Sequence, residues 1–324
     1  MSALLTRRDL LVGSAALATT GALPTQGIAA EGAPAERTST EGARFHFCLN
    51  ASTINGWKLT VPRQIEIAAK AGYEALEPWL PHLHEYVAGG GKLKDLRQQL
   101  IDSGLTVPSA IGFGEWIVDD AQRRRKGLAQ CQRDMDVLAQ IGAKRIAAPP
   151  SGATDQADLN LLAAAERYRA LLVLGEKTGV VPQLECWGHS RSLSRLGEIA
   201  FVAIESGHSS ACLLPDVYHI YRGGSDFTGL RFVDGKSIHV FHLNDYPATP
   251  PRADLKDADR VYPGDGAAPL NQILVNLRSN GFRGYLSLEL FNRDYWKQDP
   301  NDVAATGLRK MRALVAGLDA GLND

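Results

Sequence analysis

Residues 156–186, QADLNLLAAAERYRALLVLGEKTGVVPQLEC, contain the unit from which the rest of the chain is built. The part through Thr178 is rich in Ala, Leu, Glu and Arg, which predicts a helix. Gly179 then offers a left-handed C-cap, and the short apolar run 181–186 predicts a buried strand. Glu185 lies inside that run, where an unpaired carboxylate would be costly. The segment therefore predicts a helix–strand unit with an ionisable group at the end of its strand.

Short β-rich runs alternate with longer helical stretches through the chain from Arg44 onward. Eight runs are predicted as strands: 44–50, 73–77, 106–111, 144–148, 181–186, 211–216, 237–244 and 285–290. Such alternation is typical of parallel strands joined by helices, and eight units in about 280 residues fit a (β/α)8 TIM barrel. An open, doubly wound sheet is the rival, but no glycine-rich phosphate turn follows the first strand. We predict an α/β protein with one TIM-barrel domain over residues 44–324.

The composition narrows the class of protein. The chain has 324 residues, with 35 Lys and Arg against 36 Asp and Glu, and a formal net charge of −1. A nucleic-acid-binding protein normally carries a basic excess, so the balance argues against that class. Hydrophobic residues make up 44% of the chain, which excludes a largely disordered protein. The 4 cysteines are spread singly, without a Cys-x-x-Cys pair, and are expected to be structural thiols.

The N-terminal segment does not share the strand–helix pattern. Arg7 and Arg8, in TRRDLL, precede a mildly apolar stretch over residues 10–23 that is too short and too weakly apolar to span a bilayer. This layout resembles a twin-arginine export signal, with an ordinary N-terminal helix as the alternative. We expect residues 1–30 to be a signal peptide and residues 31–43 a linker. The mature protein would then be periplasmic or otherwise exported, with no membrane anchor.

Ionisable side chains end the last four predicted strands, inside apolar runs: Glu185, Asp216, His242 and Glu289. The carboxyl ends of all strands in a TIM barrel meet at one face, so these groups should converge. Carboxylates this close repel one another unless a cation lies between them, and a divalent metal ion meets this need. An oxygen-rich set with one imidazole favours Mn²⁺, Mg²⁺ or Co²⁺ over structural zinc, and we expect Mn²⁺. Ion pairs with Arg or Lys are the alternative interpretation.

The sequences at these strand ends, LECW, PDVYH, FHLNDY and LSLELF, resemble those of the xylose-isomerase-like TIM-barrel superfamily. Within it, they are most similar to the sugar (phosphate) isomerases and epimerases. The resemblance extends from Arg44 to about Leu318. It implies four metal ligands: Glu185, Asp216, His242 and Glu289.

The resemblance also implies two substrate-binding residues. His219, three residues after the aspartate of PDVYH, matches a substrate-binding histidine of the family. RVYPGDG, which begins at Arg260, is similar to an Arg-x-x-Pro-Gly-x-Gly segment whose arginine contacts substrate oxygens. Seventeen residues separate His242 from Arg260, more than in the epimerases, and this longer loop would reshape the pocket. A simple ion pair of Arg260 with Asp257 or Asp259 is the alternative.

The ligand set suggests a reaction. A metal ion bound to a substrate carbonyl and its neighbouring hydroxyl acidifies the intervening C–H and stabilises an enediolate. Glu185 and Glu289 would lie across the site from each other, so one could remove the proton and the other return it. We therefore expect a sugar isomerase or epimerase that binds a sugar or keto-sugar, with homo-oligomerisation left open.

Two further residues are expected to contact the substrate. Glu77 ends the second strand and would line the pocket, although a structural carboxylate is an equal alternative. Trp187 follows the fifth strand and would stack on a sugar ring, although rim packing explains it equally well.

Other functions remain open at this stage. A glycoside hydrolase needs two unligated carboxylates, which the Asp and His companions of the two glutamates argue against. A metal-dependent lyase or hydrolase that acts on keto-sugars or keto-glycosides is a closer alternative. A non-catalytic sugar-binding barrel is another, and stoichiometric divalent metal in the purified protein would distinguish it from the enzymes. An abasic-site endonuclease would need a basic DNA-binding face, which the charge balance does not provide.

Overall fold

The structure, a computed structural model, describes residues 45–320, so the expected signal peptide (1–30) and linker (31–43) lie outside the described residues. These residues belong to a unit that spans Gly42–Asp324. The regular strands are His46–Asn50 (β1), Ala75–Glu77 (β2), Arg145–Ala148 (β3), Val181–Glu185 (β4), Leu213–Leu214 (β5), Val240–Leu243 (β6) and Tyr285–Leu288 (β7). All paired strands are parallel, in the orders β2-β1-β7-β6 and β3-β4-β5.

The predicted third strand, segment 106–111, joins β2 to β3 without forming a regular ladder. Thr106 makes an isolated parallel bridge to β2, and the Ala110 carbonyl accepts a hydrogen bond from the Ala147 N–H of β3 (2.9 Å). Pro108 has no N–H to donate, which removes one ladder bond from the middle of the segment. The segment therefore occupies a strand position although it is held by single bridges.

The two sheets meet a second time between β5 and β6. Parallel bridges join Leu213 to Ile238 and Asp216 to His242 across it. Segment 106–111 joins the two sheets between β2 and β3, and these two bridges join them between β5 and β6. Eight segments therefore surround the barrel axis, which confirms the predicted TIM barrel. The second bridge also places two of the predicted metal ligands side by side.

Helices follow the strands around the outside, as the crossover connections require. The α-helices of the described residues are Val61–Ala71 (α1), Leu80–Ala88 (α2), Leu93–Asp102 (α3), Ala121–Ile141 (α4), Leu161–Thr178 (α5), Leu196–Glu205 (α6), Val217–Arg222 (α7), Leu270–Ser279 (α8) and Pro300–Ala320 (α9). Gly179 ends α5 in the left-handed conformation (φ 72°), as predicted. In the described part of the chain, no helix has the length and apolar character needed to cross a membrane.

A small apolar cluster fills the barrel below the site: Ile111, Ala147, Leu214 and Val240. Because alternate residues of a strand share a face, Leu214 and Val240 point to the same side as Asp216 and His242. All four cysteines are buried and free, in agreement with the prediction of structural thiols.

Candidate active site

The structure brings the four predicted ligands together at the carboxyl ends of the strands. Glu185 is the last residue of β4, His242 lies in β6, and Glu289 follows β7 directly. Asp216 follows β5 and caps α7, where its Oδ1 accepts a hydrogen bond from the His219 N–H (2.7 Å). All four side chains are buried, with at most 3% of any residue exposed.

The Nδ1 atom of His242 lies at the centre of this group. Carboxylate oxygens of Glu289, Asp216 and Glu185 lie 3.2, 3.6 and 3.7 Å from it. Nδ1 is buried and makes no hydrogen bond. Glu185, His242 and Glu289 can each offer one ligand atom, all within 4.8 Å of one another. An unpartnered imidazole nitrogen among carboxylates is the donor set that a divalent cation requires, so these residues fit a metal ion.

Asp216 is committed to other partners as well. Its Oδ2 accepts hydrogen bonds from Asn244 Nδ2 (2.9 Å) and from Arg260 Nη1 (3.1 Å). Asn244 in turn accepts from the Tyr218 N–H through its side-chain oxygen (2.9 Å), which fixes the amide in this orientation. Asp216 is therefore oriented for the cluster by a second layer of hydrogen bonds.

Glu77 lies behind His242 rather than in the cavity, in contrast to our expectation. Its Oε2 contacts His242 Nε2 (3.0 Å) and accepts hydrogen bonds from Asn50 Nδ2 (2.9 Å) and Ser287 Oγ (2.7 Å). Burial alone would raise the pKa of Glu77, but the attraction of His242 and the hydrogen bonds with His242 and Ser287 lower it. A carboxylate that binds the far nitrogen of an imidazole directs the near nitrogen at the metal position.

Arg260 lies within the cluster, where both terminal nitrogens have partners and the buried Nε makes no hydrogen bond. Nη1 is 2.7 Å from Glu289 Oε2, and Nη2 is 2.7 Å from Asp257 Oδ1. The guanidinium carbon lies 4.4 Å from the Tyr218 ring centre and 4.9 Å from that of Phe291. Burial would lower the pKa of Arg260, but the surrounding carboxylates raise it, so it stays charged. The predicted pairing with Asp257 exists, alongside contacts to two of the ligand carboxylates.

His219 faces two hydrogen-bond donors. Its Nδ1 accepts from the Gly188 N–H (3.2 Å), while Nε2 lies 3.0 Å from Arg260 Nη2. Burial, the largest cause, and the charge of Arg260 hold the pKa of His219 well below its usual value. A neutral imidazole accepts at only one of its two nitrogens, so His219 can satisfy only one of these two donors at a time. Both His219 and Arg260 line the cavity, where a ligand oxygen can reach their facing nitrogens.

The pKa values of the two glutamates at the cavity floor are shifted in opposite directions. Burial, the largest cause, and the neighbouring Glu289 and Asp216 raise the pKa of Glu185 well above its ordinary value. Burial acts in the same direction on Glu289, but His242 and Arg260 outweigh it and lower the pKa of that carboxyl. In the metal-free cluster, Glu185 therefore holds a proton more readily than Glu289 does.

A cavity of about 320 Å³ opens above these residues, which is within the usual range for small-molecule sites. Aromatic rings form much of its wall: Trp79, Phe113, Trp187 and Phe291. Polar groups complete it: Glu185, His189, His219, Asp257, Arg260 and Glu289. Trp187 lines the cavity, and its stacking on a sugar ring stays a prediction. Sequence reasoning missed Phe113 and His189, although His189 lies only four residues beyond Glu185 in the loop after β4.

The family model "Xylose isomerase-like TIM barrel" matches residues 65–314, and the chain belongs to this family. Among individual relatives, the inosose isomerase of Bacillus velezensis is 27% identical over 278 residues, covering 83% of this chain and 96% of that protein. The 3-dehydroshikimate dehydratase of Pseudomonas putida is 24% identical over 262 residues, which are 79% of this chain and 40% of that protein.

Solved structures share the fold. The crystal structure of the protein IolI with a bound zinc atom superposes with a TM-score of 0.78 at 23% identity, covering 85% of this chain and 99% of that one. The relatives thus include isomerases and dehydratases of sugar-like molecules, and they support an enzyme of this general kind.

Proposed function

We propose that this protein is a divalent-metal-dependent sugar isomerase or epimerase that acts by proton transfer through an enediolate. The observation that carries the proposal is the buried, unpartnered Nδ1 of His242, with three carboxylate oxygens within 3.7 Å, on the floor of a sugar-sized cavity. Glu185, Asp216, His242 and Glu289 would hold the ion. Mn²⁺ suits this oxygen-rich set, with Mg²⁺ or Co²⁺ next. When bound, the ion would supply Lewis acidity beside the substrate carbonyl.

The two glutamates would carry the proton. Glu289 would accept the proton from the carbon next to the substrate carbonyl, which leaves the electron pair in the enediolate. Glu185, on the opposite side of the ring of strands, would deliver a proton to the enediolate carbon. Delivery to the same carbon from the other face gives an epimer, and delivery to the neighbouring carbon gives an isomer.

His219 and Arg260 would bind a substrate oxygen. His219 Nε2 and Arg260 Nη2 lie 3.0 Å apart and both side chains line the cavity, so one substrate oxygen can contact both nitrogens. Donors arranged in advance around the position of an oxygen stabilise the negative charge that develops there when the adjacent proton leaves.

Dehydration is the second candidate, because relatives include a 3-dehydroshikimate dehydratase. Elimination of a hydroxyl β to a carbonyl begins with the same proton removal. A carboxyl on the cavity floor, such as that of Glu185, would then donate a proton to the departing hydroxyl. Formation of an enone that absorbs in the ultraviolet would distinguish this reaction from epimerisation.

Metal analysis followed by an NMR exchange screen tests the proposal. We expect about one divalent ion per chain and exchange of a substrate C–H in D₂O among free ketoses, 3-keto-sugars and inososes. The Glu289→Gln variant should lose this exchange by at least about 10³-fold while its fold and thermal midpoint stay near wild type. Protein without stoichiometric metal would exclude the enzyme and favour a sugar-binding barrel. Undiminished exchange in the variant would contradict the role of Glu289.

Export through the twin-arginine pathway is a separate proposal, supported by the arginine pair and the mildly apolar stretch that follows it. N-terminal sequencing of protein from a periplasmic fraction should find a start near residue 31. Replacing both Arg7 and Arg8 by Lys should retain the precursor inside the cell.

A further inference from the structure

Arg260 contacts the same carboxylate oxygens that face the predicted metal position. Glu289 Oε2 lies 3.2 Å from His242 Nδ1 and 2.7 Å from Arg260 Nη1. Asp216 Oδ2 lies 3.6 Å from that imidazole nitrogen and 3.1 Å from the same Nη1. One guanidinium nitrogen thus bridges oxygens of two of the four predicted ligands. A cation bound through these oxygens would have to share both of them with Arg260.

Charge, and not a complete set of hydrogen bonds, holds the Arg260 guanidinium in this place. Its Nε is buried and makes no hydrogen bond. Its terminal nitrogens contact three carboxylates, those of Asp216, Asp257 and Glu289. A buried cation is stabilised by such ion pairs, so anything that neutralises Asp216 and Glu289 weakens the attraction that keeps Arg260 beside them.

The guanidinium and a divalent ion would also repel each other. An ion bound to Glu289 Oε2 at about 2.1 Å would lie within about 5 Å of Nη1, because that nitrogen is 2.7 Å from the same oxygen. The charge of Arg260 is permanent, since arginine does not lose its proton in proteins. Water and salt screen this repulsion poorly, because Arg260, Asp216 and Glu289 are all buried.

Orientation of the ligands does not require a positive charge here, because two neutral amides already provide it. Asn244 Nδ2 donates to Asp216 Oδ2 (2.9 Å), and Asn50 Nδ2 donates to Glu289 Oε1 (3.2 Å). Such contacts align ligand carboxylates without adding a charge. The effect that Arg260 adds to this arrangement is therefore mainly electrostatic, and it acts against a cation.

We propose that Arg260 competes with the metal ion for its carboxylate ligands and so lowers the affinity of the site for divalent cations. The inference rests on the proposed function for the identity of the four ligands. Coupling between two groups that bind one site is reciprocal, so a bound cation loosens the ion pairs of Nη1 by the same free energy. This role belongs to Nη1 and is separate from the proposed contact of Nη2 with a substrate oxygen.

Titration calorimetry with Mn²⁺ on the metal-stripped full chain tests the inference, at about pH 8 so that protons compete less with the cation. Arg260→Met removes the charge and should bind Mn²⁺ at least about tenfold more tightly than the wild type. Arg260→Lys keeps the charge and should show at most a small part of this increase.

Arg222→Met is the matched control. Arg222 ends α7 and donates from Nε to the Leu255 carbonyl (3.1 Å). In the described part of the chain, it contacts none of the four predicted ligands. Its replacement should leave the affinity for Mn²⁺ unchanged.

Thermal unfolding gives a second readout. In EDTA, Arg260→Met should unfold at a lower temperature than the wild type, because buried carboxylates lose their counter-ion. Saturating Mn²⁺ should then raise its midpoint by more than it raises that of the wild type. If the variant folds only with metal, it is purified with Mn²⁺, and release of the ion into excess EDTA should be slower than from the wild type.

The other outcomes count against the inference. Equal or weaker binding of Mn²⁺ by Arg260→Met overturns it, as does an equally large increase in Arg260→Lys or Arg222→Met. Failure of both the wild type and Arg260→Met to bind Mn²⁺ also contradicts it. Exchange of substrate C–H is scored separately. The expected order of affinities without exchange keeps this inference and removes the proposed function, whereas exchange by the wild type with unchanged affinity in Arg260→Met does the reverse.

Discussion

At the scale of single residues, two carboxylate–histidine pairs of similar geometry differ in burial and in what surrounds the second ring nitrogen. His46 Nδ1 contacts Glu74 at 2.6 Å, with about a third of each side chain exposed. His242 Nε2 contacts Glu77 at 3.0 Å with both side chains fully buried. The second pair leaves the other ring nitrogen of its histidine among carboxylates. Glu77 is thus in a position to control the metal site through the imidazole, and Glu74 is not.

Replacing Glu77 by Gln should weaken divalent-metal binding by about 10- to 100-fold, because the amide holds the imidazole less firmly and reduces its basicity. Titration calorimetry with Mn²⁺ on metal-stripped protein measures the change. Glu74→Gln removes the analogous exposed carboxylate and should leave the affinity unchanged. Equal affinities of the two variants would show that Glu77 does not act on the metal site.

A site residue can be predicted from the sequence when its immediate neighbours in the chain indicate its environment. Glu185 and Glu289 are conspicuous because apolar residues flank them and strand ends converge in a barrel. Glu77 also ends a strand, yet its place behind His242 depends on the pairing of β2 with β1, in which Asn50 lies opposite Glu77. The pairing of strands cannot be read from the sequence around Glu77. Asp257 depends in the same way on the path of a long loop.

At the scale of elements, the loop between β6 and α8 is closed by one side chain. Asp245 Oδ2 accepts hydrogen bonds from the N–H groups of Gly264 and Gly266 (both 3.0 Å), and Oδ1 accepts from Tyr246 (2.8 Å) and Ala268 (2.9 Å). The Asp245 carboxylate is buried, whereas Gly264 and Gly266 lie at the surface, so a buried anchor holds an exposed part of the loop. A carboxylate at this position ties both ends of the segment that carries Arg260.

Asp245→Ala should lower the free energy of unfolding by about 3 kcal/mol, because it removes four hydrogen bonds to a buried carboxylate. If the proposed role of Arg260 is correct, substrate affinity should fall as well, since the loop no longer holds that side chain. Urea unfolding measures the change in the free energy of unfolding. A titration with a candidate substrate, followed by the fluorescence of the cavity tryptophans Trp79 and Trp187, measures the change in affinity. Asp245→Asn, which keeps one acceptor oxygen, should recover part of both. Asp254→Ala is the matched control in the same loop, and an equal loss there would contradict the role of Asp245.

Element boundaries were predictable where a local signal exists. The helix that precedes β4 ends at Thr178 with Gly179 as its cap, as its sequence indicates. The helices α2 and α7 were not predicted, since they have only 9 and 6 residues and no long apolar periodicity. Leu80-Pro81 begins α2, and a proline in the first turn is the one local signal of a helix start that this segment carries.

At the scale of the whole molecule, the repeated strand–helix unit was sufficient to predict the barrel. The repeat determines how many segments can enter the ring, and the parallel crossover determines that their carboxyl ends share a face. It does not determine how regular each segment is: Pro108 reduces one of them to single bridges. The net charge of −1 does not reveal the site either, because it is a sum over the whole chain and hides the excess of acidic groups at the cavity.

The histidines that the fold keeps neutral should contribute stability to the metal-free protein that increases with pH between about 5 and 7.5. Burial, the largest cause, lowers the pKa of several histidines: His82, His189, His219 and His239. For His239, burial and then the charge of Arg145 lower the pKa to about 4, against about 6.5 in the unfolded chain. Between these values only the unfolded chain binds the proton, so its contribution is complete above pH 6.5 and is lost as the pH falls toward 4.

The variant His239→Gln isolates this contribution. Its free energy of unfolding should fall less than that of the wild type between pH 7.5 and pH 5, measured by urea unfolding in EDTA so that metal binding does not contribute. The raised pKa of His242 acts in the opposite direction, giving stability that is lost as the pH rises, but it is present in both proteins and cancels in the difference. Parallel pH profiles for the two proteins would show that His239 does not resist protonation in the fold.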